Sequence, residues 1–330
     1  MLPLAYPFTR GVAPVLMLHR FADRERGTPG HAPEALRRQL AFLRRHRFDL
    51  LPLADLLGRL EHRSPPLRKA VAFTVDDGYA DFASVGATIF AEFDCPVTVF
   101  AVTGFLDGRC WLWWDQVELM LAETRRAEAD VSLADRVLRY RWGDAQARGR
   151  VHAHLVERLK RVDDATRRSA LARLARDLDV EVPAAPPPRY APMTWDDARR
   201  GAERGVTVGP HTVTHAVLSR LDDRQAEEEI RESWRRVRTE LPESPSVFCY
   251  PNGDPDSFTP REQRVLRALD MSAAVTTVEG FASSPLLVAD DGAGRYAVPR
   301  FPYYEDDAAF RQVVGGLERA KRAALHVLRR

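Results

Sequence analysis

Apolar positions along the chain switch between two periods, and the switching sets out an architecture. Val12 to His19 (VAPVLMLH) is an almost unbroken apolar run ending at a histidine, which predicts a buried strand. Pro33 to Arg45 puts Leu36, Leu40 and Leu43 on one side of a helix, with basic residues on the other. Phe48 to Leu53 reads as a short strand and Leu53 to Leu60 as a short helix. From Lys69 onward, Val71, Phe73 and Val75 interleave with Ala72 and Thr74 in a second buried strand, which stops abruptly at Asp76-Asp77-Gly78. Phe82 to Phe93 predicts a helix, and Pro96 to Thr103 (PVTVFAVT) a β-branched strand. Strand and helix in alternation argue for a parallel α/β architecture.

The rhythm breaks after Asp107. The stretch to about Ala185 is rich in Arg, Ala, Leu and Glu, has apolar residues at helical spacing, and predicts no strand. It reads as a helical insertion, about 107–190, closed by Pro183, Pro186, Pro187 and Pro188. Its opening carries Trp111, Trp113 and Trp114, whose faces suit sugar rings, although packing is the commoner use of Trp at the root of such a segment. The alternation then resumes. Thr194 caps a helix to Glu203 with Asp196 and Asp197 in its first turn, and Val206 to Gly209 is a strand. Arg224 to Leu241 is a long charged helix, Ser246 to Tyr250 a strand, Pro260 to Leu269 a helix, and Ser272 to Thr277 and Tyr296 to Phe301 strand-type segments. Residues from about 307 to 330 are helical, and the expectation is one catalytic domain over 1–330. Leu317 to Arg330 is basic and amphipathic, suited either to a peripheral contact with anionic lipid or, more commonly, to docking on the domain with its basic face solvated.

Composition narrows the field mainly by exclusion. A formal net charge of +2 over 330 residues gives no global argument for nucleic acid. Three cysteines, Cys95, Cys110 and Cys249, are too few for a disulfide framework and suit a reducing compartment. The N-terminus lacks an early basic region and is interrupted by Pro3, Pro7 and Pro14, so it does not read as a signal peptide. With no apolar run long enough to span a bilayer, the expected location is the cytoplasm, with a peripheral membrane contact left open.

Chemistry concentrates at two strand ends. In α/β sheets and barrels, side chains at the carboxyl end of a strand face the ligand. Asp76 and Asp77 adjoin at one such end and repel each other unless something positive joins them. A cation satisfies that need, one Asp binding it while the other takes a proton from its water. Asp-Gly is also ordinary turn chemistry, so a surface turn is the competing reading of this stretch alone. Val206-Thr207-Val208-Gly209 leads into Pro210-His211-Thr212-Val213-Thr214-His215, whose histidines can reach one ion if the turn between them is tight. One strand end carrying Asp76-Asp77 and another carrying His211 and His215 is a much stronger signal than either alone.

At these residues the chain resembles the polysaccharide deacetylases, the NodB-homology group of carbohydrate esterases. Thr74-Val75-Asp76-Asp77-Gly78 is similar to the family's T-F-D-D-G motif with Val for Phe, and His211-Thr212-Val213-Thr214-His215 to its second motif. Cys249-Tyr250-Pro251-Asn252-Gly253 departs from the third, R-x-P-[YFW], and is closer to an F-x-Y-P-x-G variant. Leu16-Met17-Leu18-His19 resembles the late L-x-H motif in permuted position.

The resemblance implies a distorted (β/α)7-type barrel with the helical insertion between the first and second motifs. It implies that Asp77, His211 and His215 bind a divalent metal, with Zn the first expectation and Co, Mn or Ni as alternatives. Asp76 would be the general base, the Asn252 backbone N–H an oxyanion donor, and His19 the general acid. Arg300, in Val298-Pro299-Arg300, would orient Asp76 in place of the missing third-motif Arg. Tyr250 and Trp113 are the expected sugar contacts. The implied reaction is hydrolysis of an N-acyl group, foremost N-acetyl, on an amino-sugar-containing polysaccharide or glycolipid. Two alternatives stand beside it: a deacylase or deformylase of a small or lipid-linked amide, and a non-catalytic carbohydrate-binding protein on the same fold.

Overall fold

The computed structural model describes residues 6–62, 66–133, 136–289 and 292–328. The chain enters through β1 (Val12–Leu18) and turns back through α1 (Pro33–Arg45), which buries Leu36, Leu40 and Leu43 as its spacing predicts. Strand β2 (Asp49–Leu50) and helix α2 (Leu53–His62) lead to β3 (Ala70–Asp77), every residue of which is buried. One π-helical turn, Phe82–Gly86, runs into α3 (Ala87–Glu92), then β4 (Val97–Ala101) and α4 (Thr103–Leu106).

The insertion contains α5 (Trp113–Glu123), β5 (Glu128–Leu133), β6 (Arg136–Arg141), α6 (Ala145–Leu159) and α7 (Asp164–Asp177). The antiparallel β5–β6 hairpin corrects the expectation that this segment holds no strand. Its reason is visible in β5, where Ala129, Val131 and Leu133 are buried while Glu128 and Asp130 are exposed. That is a period of two, obscured in the sequence by charged neighbours. The hairpin and helices share a core of their own, built on Trp113, Val117, Met120, Val131, Leu155 and Leu174.

After the insertion come α8 (Trp195–Ala202), with Thr194 and Asp197 forming a reciprocal cap, and β7 (Val206–Pro210). Helix α9 (Asp223–Glu240), β8 (Val247–Cys249), α10 (Pro260–Ala268) and β9 (Ala273–Val275) follow. Strand β10 (Phe281–Ser283) runs antiparallel to β1 and has no counterpart in the sequence reading. It leads to α11 (Ser284–Leu287), β11 (Phe301–Pro302), α12 (Asp307–Val314) and α13 (Leu317–Leu328). The expected single helix over 307–330 is therefore two, parted at Gly315-Gly316, where Gly316 takes φ +83°. Residues 329–330 of that expectation lie outside the described residues. In α13, Arg319 donates to the carbonyls of Phe8 and Arg10, and Arg322 pairs with Glu318 and Glu279. No described helix is long and apolar enough to cross a membrane.

Parallel pairing runs β11–β1–β3–β4–β7, and β8 pairs with β9 in a separate parallel ladder. A bridge from Val275 to Val298, just ahead of β11, brings the second ladder back toward the first. The cyclic order β1–β3–β4–β7–β8–β9–β11 is that of a distorted seven-stranded barrel. Among the described residues its ladder is open between β7 and β8. There the two backbones still approach closely, since a Cβ on Gly209 would lie 2.7 Å from the Val247 carbonyl. Alternation along β3 sorts its side chains. Val71, Phe73 and Val75 pack outward under the helices, whereas Ala70 and Ala72 join the small residues of the interior. Thr74 and Asp76 continue that inner row toward the mouth.

Candidate metal and catalytic site

Period two puts Asp76 inside and would send Asp77 the other way. The structure reverses this with backbone geometry. Asp77 takes φ +73° and Gly78 φ +85°, so the chain twists at the strand end and the Asp77 carboxylate stays at the mouth. Asp77 Oδ1 lies 3.5 Å from His215 Nε2 and 3.7 Å from His211 Nε2. Thr212 (φ +64°), His215 (φ +57°) and Asn252 (φ +61°) are also left-handed. Three of these non-glycine residues, Asp77, His215 and Asn252, line one cavity, a concentration of costly backbone typical of functional sites.

The His turn is held from two sides. Thr103 and Gly104 N–H groups donate to the Thr212 and Val213 carbonyls at 3.1 and 2.8 Å. Glu229, on α9, accepts from the Val213 N–H (2.8 Å), the Thr214 N–H (3.0 Å) and the Thr214 hydroxyl (2.7 Å). The ring of His211 is fixed by a 2.8 Å bond between Nδ1 and the Cys249 carbonyl. Because that carbonyl can only accept, Nδ1 carries the proton and Nε2 presents a lone pair toward Asp77. Burial pushes His211 down to about 4 and lowers His215 well below the ordinary histidine value, so both rings are neutral. Burial, with the adjacent Asp76 charge adding to it, raises the Asp77 carboxyl well above its usual range.

Two neutral imidazole nitrogens and one carboxylate oxygen lie within 4.8 Å of one another. All three residues are buried, and their donors fit a divalent cation of zinc type. Asp76, His211 and Cys249 also fall within that distance, but Arg300 already occupies the space around Asp76 and Cys249.

Asp76 is anchored differently. Arg300, fully buried, donates to both its oxygens at 2.8 and 2.7 Å, and also to Thr74 Oγ1 (2.9 Å) and the Thr276 carbonyl (2.9 Å). It also lies 3.2 Å from Cys249 Sγ and over the Phe100 ring. Burial alone would raise the Asp76 carboxyl, but the guanidinium outweighs it and holds the group well below the usual carboxylate range. Arg300 thus lies beside Asp76. Cys249, in place of the third-motif arginine, leaves room for it.

His19 ends β1 at the rim, its side chain 45% exposed and its Nε2 3.9 Å from Asp76 Oδ2. Asn252 lines the same cavity, and its N–H donates to nothing among the described residues. The cavity measures about 450 Å³. Tyr250 borders it, yet its hydroxyl donates to the Tyr296 carbonyl (3.0 Å) and its ring stacks on Phe258 at 4.1 Å. Both features that suit a sugar are therefore engaged internally. Trp113 corrects the sequence reading outright. It is buried in the insertion's core beneath the Arg167 guanidinium and does not line the cavity. Its neighbour Trp114 does, its ring 4.6 Å from that of His215. Helix periodicity alone, one residue being about 100° of turn, separates the two roles. Glu229, Tyr79 and Asp115 have no counterpart in the sequence reading, because nothing local tells a partly or fully enclosed polar side chain from a solvated one.

Residues 169–274 match the family model described as polysaccharide deacetylase. That segment holds His211, His215 and Cys249 to Gly253, and the Asp76-Asp77 strand end lies before it, across the insertion. The family read from the two motifs is the one matched. No curated protein sequence matches the chain. Among solved structures, the Streptococcus pyogenes deacetylase PplD in complex with acetate is similar over 94% of this chain and 98% of its own, with TM-score 0.58 and 16% identity. IcaB from Ammonifex degensii is similar over 93% and 97%, with TM-score 0.56 and 16% identity. A de-N-acetylase from Aggregatibacter actinomycetemcomitans covers 89% and 96%, with TM-score 0.54 and 13% identity. At these identities the likeness establishes the α/β deacetylase fold.

Proposed function

We propose that this chain, with its polysaccharide deacetylase segment on the deacetylase fold, hydrolyses an N-acetyl group on an amino-sugar-containing glycan with the help of a divalent cation. The observation that carries this reading is the pairing of two differently wired carboxylates in one cavity. Asp77 faces His211 and His215, and Asp76 is clamped by Arg300 at 2.7–2.8 Å. Zinc held by Asp77, His211 and His215 would polarise the acyl carbonyl and acidify water.

The chain's own groups supply the rest. Asp76, ionised and oriented by Arg300, takes the proton of the water whose oxygen bonds to the acyl carbon. The free N–H of Asn252 supports the carbonyl oxygen as it gains negative charge. His19, 3.9 Å from Asp76 and open to solvent, gives a proton to the nitrogen as the C–N bond breaks, releasing acetate and a free amine. Acetate release from N-acetylated glucosamine oligomers, with and without added zinc, tests the reading. Zinc-dependent acetate that disappears in Asp76→Asn supports it. Stoichiometric zinc with no acetate from any N-acetylated sugar favours the non-catalytic alternative.

A further inference from the structure

We infer that Trp114 and Asp115, both from the insertion, form a sugar-recognition subsite in which the Asp115 carboxylate accepts a hydroxyl of the acylated ring while Trp114 packs against the ring. The inference rests on the deacetylase reading above and deepens it by naming the residues that recognise the ring bearing the amide.

Asp115 is only 3% exposed, yet it lines the catalytic cavity. One of its oxygens accepts from the Tyr79 hydroxyl at 2.7 Å. The other accepts no hydrogen bond among the described residues. Tyr79 follows the Asp76-Asp77-Gly78 turn, and its hydroxyl is also held by Trp114 Nε1 at 3.0 Å. The Arg20 guanidinium lies 3.8 Å above its ring, directed to Asp81 rather than Asp115. The carboxylate is therefore positioned by a rigid neighbour and neutralised by no paired cation. Burial pushes it up to about 7, outweighing the Tyr79 hydrogen bond and the more distant Arg20 charge that pull it down. Half-buried Trp114 meets His215 edge-on at an interplanar angle of 70°, which locks the indole at the cavity wall. An aromatic ring beside a buried acceptor is the complement of a sugar, which has apolar ring faces and hydroxyl edges. Neither residue falls within 169–274, the matched segment, and neither has a role in the hydrolytic step.

The test pairs Asp115→Asn with deoxygenated substrates. The protein is given an N-acetylglucosamine oligomer and analogues lacking single ring hydroxyls, and acetate release is followed. The expected result is a roughly ten- to hundredfold loss of kcat/KM in Asp115→Asn, mostly through KM, with zinc content unchanged. One deoxy analogue should cost the native protein a similar factor and cost the variant nothing further. Tyr79→Phe separates recognition from mere support, since it removes the hydroxyl bound to Asp115 but keeps the carboxylate. It should retain discrimination between that analogue and the parent. The inference is overturned if Asp115→Asn leaves KM unchanged, if the losses from variant and analogue multiply, or if Tyr79→Phe erases the discrimination. Absence of acetate from the native protein on every sugar would instead sink the deacetylase reading itself.

Discussion

The two walls of the cavity are built on opposite principles. The barrel wall holds its chemistry on and just after strand ends, mostly buried, with several of its groups fixed by a second one. Asp76 is bound by Arg300, His211 by the Cys249 carbonyl, and the His turn by Glu229. The insertion wall has a separate hydrophobic core, and its surface charges form exposed pairs such as Arg139–Asp130 and Arg141–Glu128. Such pairs contribute little to stability. What the insertion lends to the cavity is mainly Trp114, Asp115 and the flank of α6. On the proposed reading, turnover and substrate choice would be carried by physically distinct parts, so substitutions in each should fail in different ways.

The largest effect belongs to the barrel wall. Asp76→Asn should lower turnover by roughly 10²–10⁴-fold while zinc binding persists, as steady-state kinetics and metal analysis would read. Next is Arg300→Met, which leaves a buried carboxylate without its cation and should destabilise the fold by about 3–5 kcal/mol in chemical denaturation. If the double variant Asp76→Asn/Arg300→Met is no more stable than Arg300→Met alone, that pairing is not the source of the loss. On the other wall, Leu155→Ala, at a fully buried position of the insertion core, should cost about 2–5 kcal/mol. That loss should appear as early exposure of residues 113–177 in hydrogen exchange, with zinc affinity nearly intact. A matching fall in zinc affinity would mean the two walls are one unit.

Glu229→Ala should have an intermediate effect. It removes the acceptor for two backbone amides and one hydroxyl, and zinc affinity should fall roughly ten- to hundredfold by calorimetry without loss of the fold. The last is a pH dependence. Asp115 rises from 3.8 to about 7 on folding, so between those values the folded chain binds a proton the unfolded chain lacks. That contribution to stability is present at low pH and fades as pH rises through 7. Asp115→Asn should therefore gain stability relative to the native chain as pH goes from about 4 to 7 in metal-free denaturation. A difference that does not change with pH would contradict the buried, unpaired state of this acid.

Much of this was legible in the chain, for identifiable reasons. Buried parallel strands such as Val71 to Val75 announce themselves because both faces are covered, and Asp76-Asp77 is visible because it ends one of them. Arg300 lies 224 positions from Asp76, and only the resemblance pointed to it. The β5–β6 hairpin is hard to see because Glu128, Asp130, Arg136, Arg139 and Arg141 punctuate it, although the alternation of β5 is there to read. Nothing local says which face of α5 meets the cavity, so the letters alone do not separate Trp113 from Trp114. Glu229 and Asp115 were invisible for a deeper reason. Their burial and partners come from elements distant in sequence, and composition gives a solvated and an enclosed carboxylate the same letter.

The most direct test is calorimetric titration of zinc into the metal-stripped protein, run beside Asp77→Ala, His211→Ala, His215→Ala and Asp76→Asn. The account predicts one zinc per chain in the native protein and in Asp76→Asn, and loss of that site in each of the other three. Failure of the native chain to take up zinc, or undiminished uptake in all three ligand variants, would contradict it.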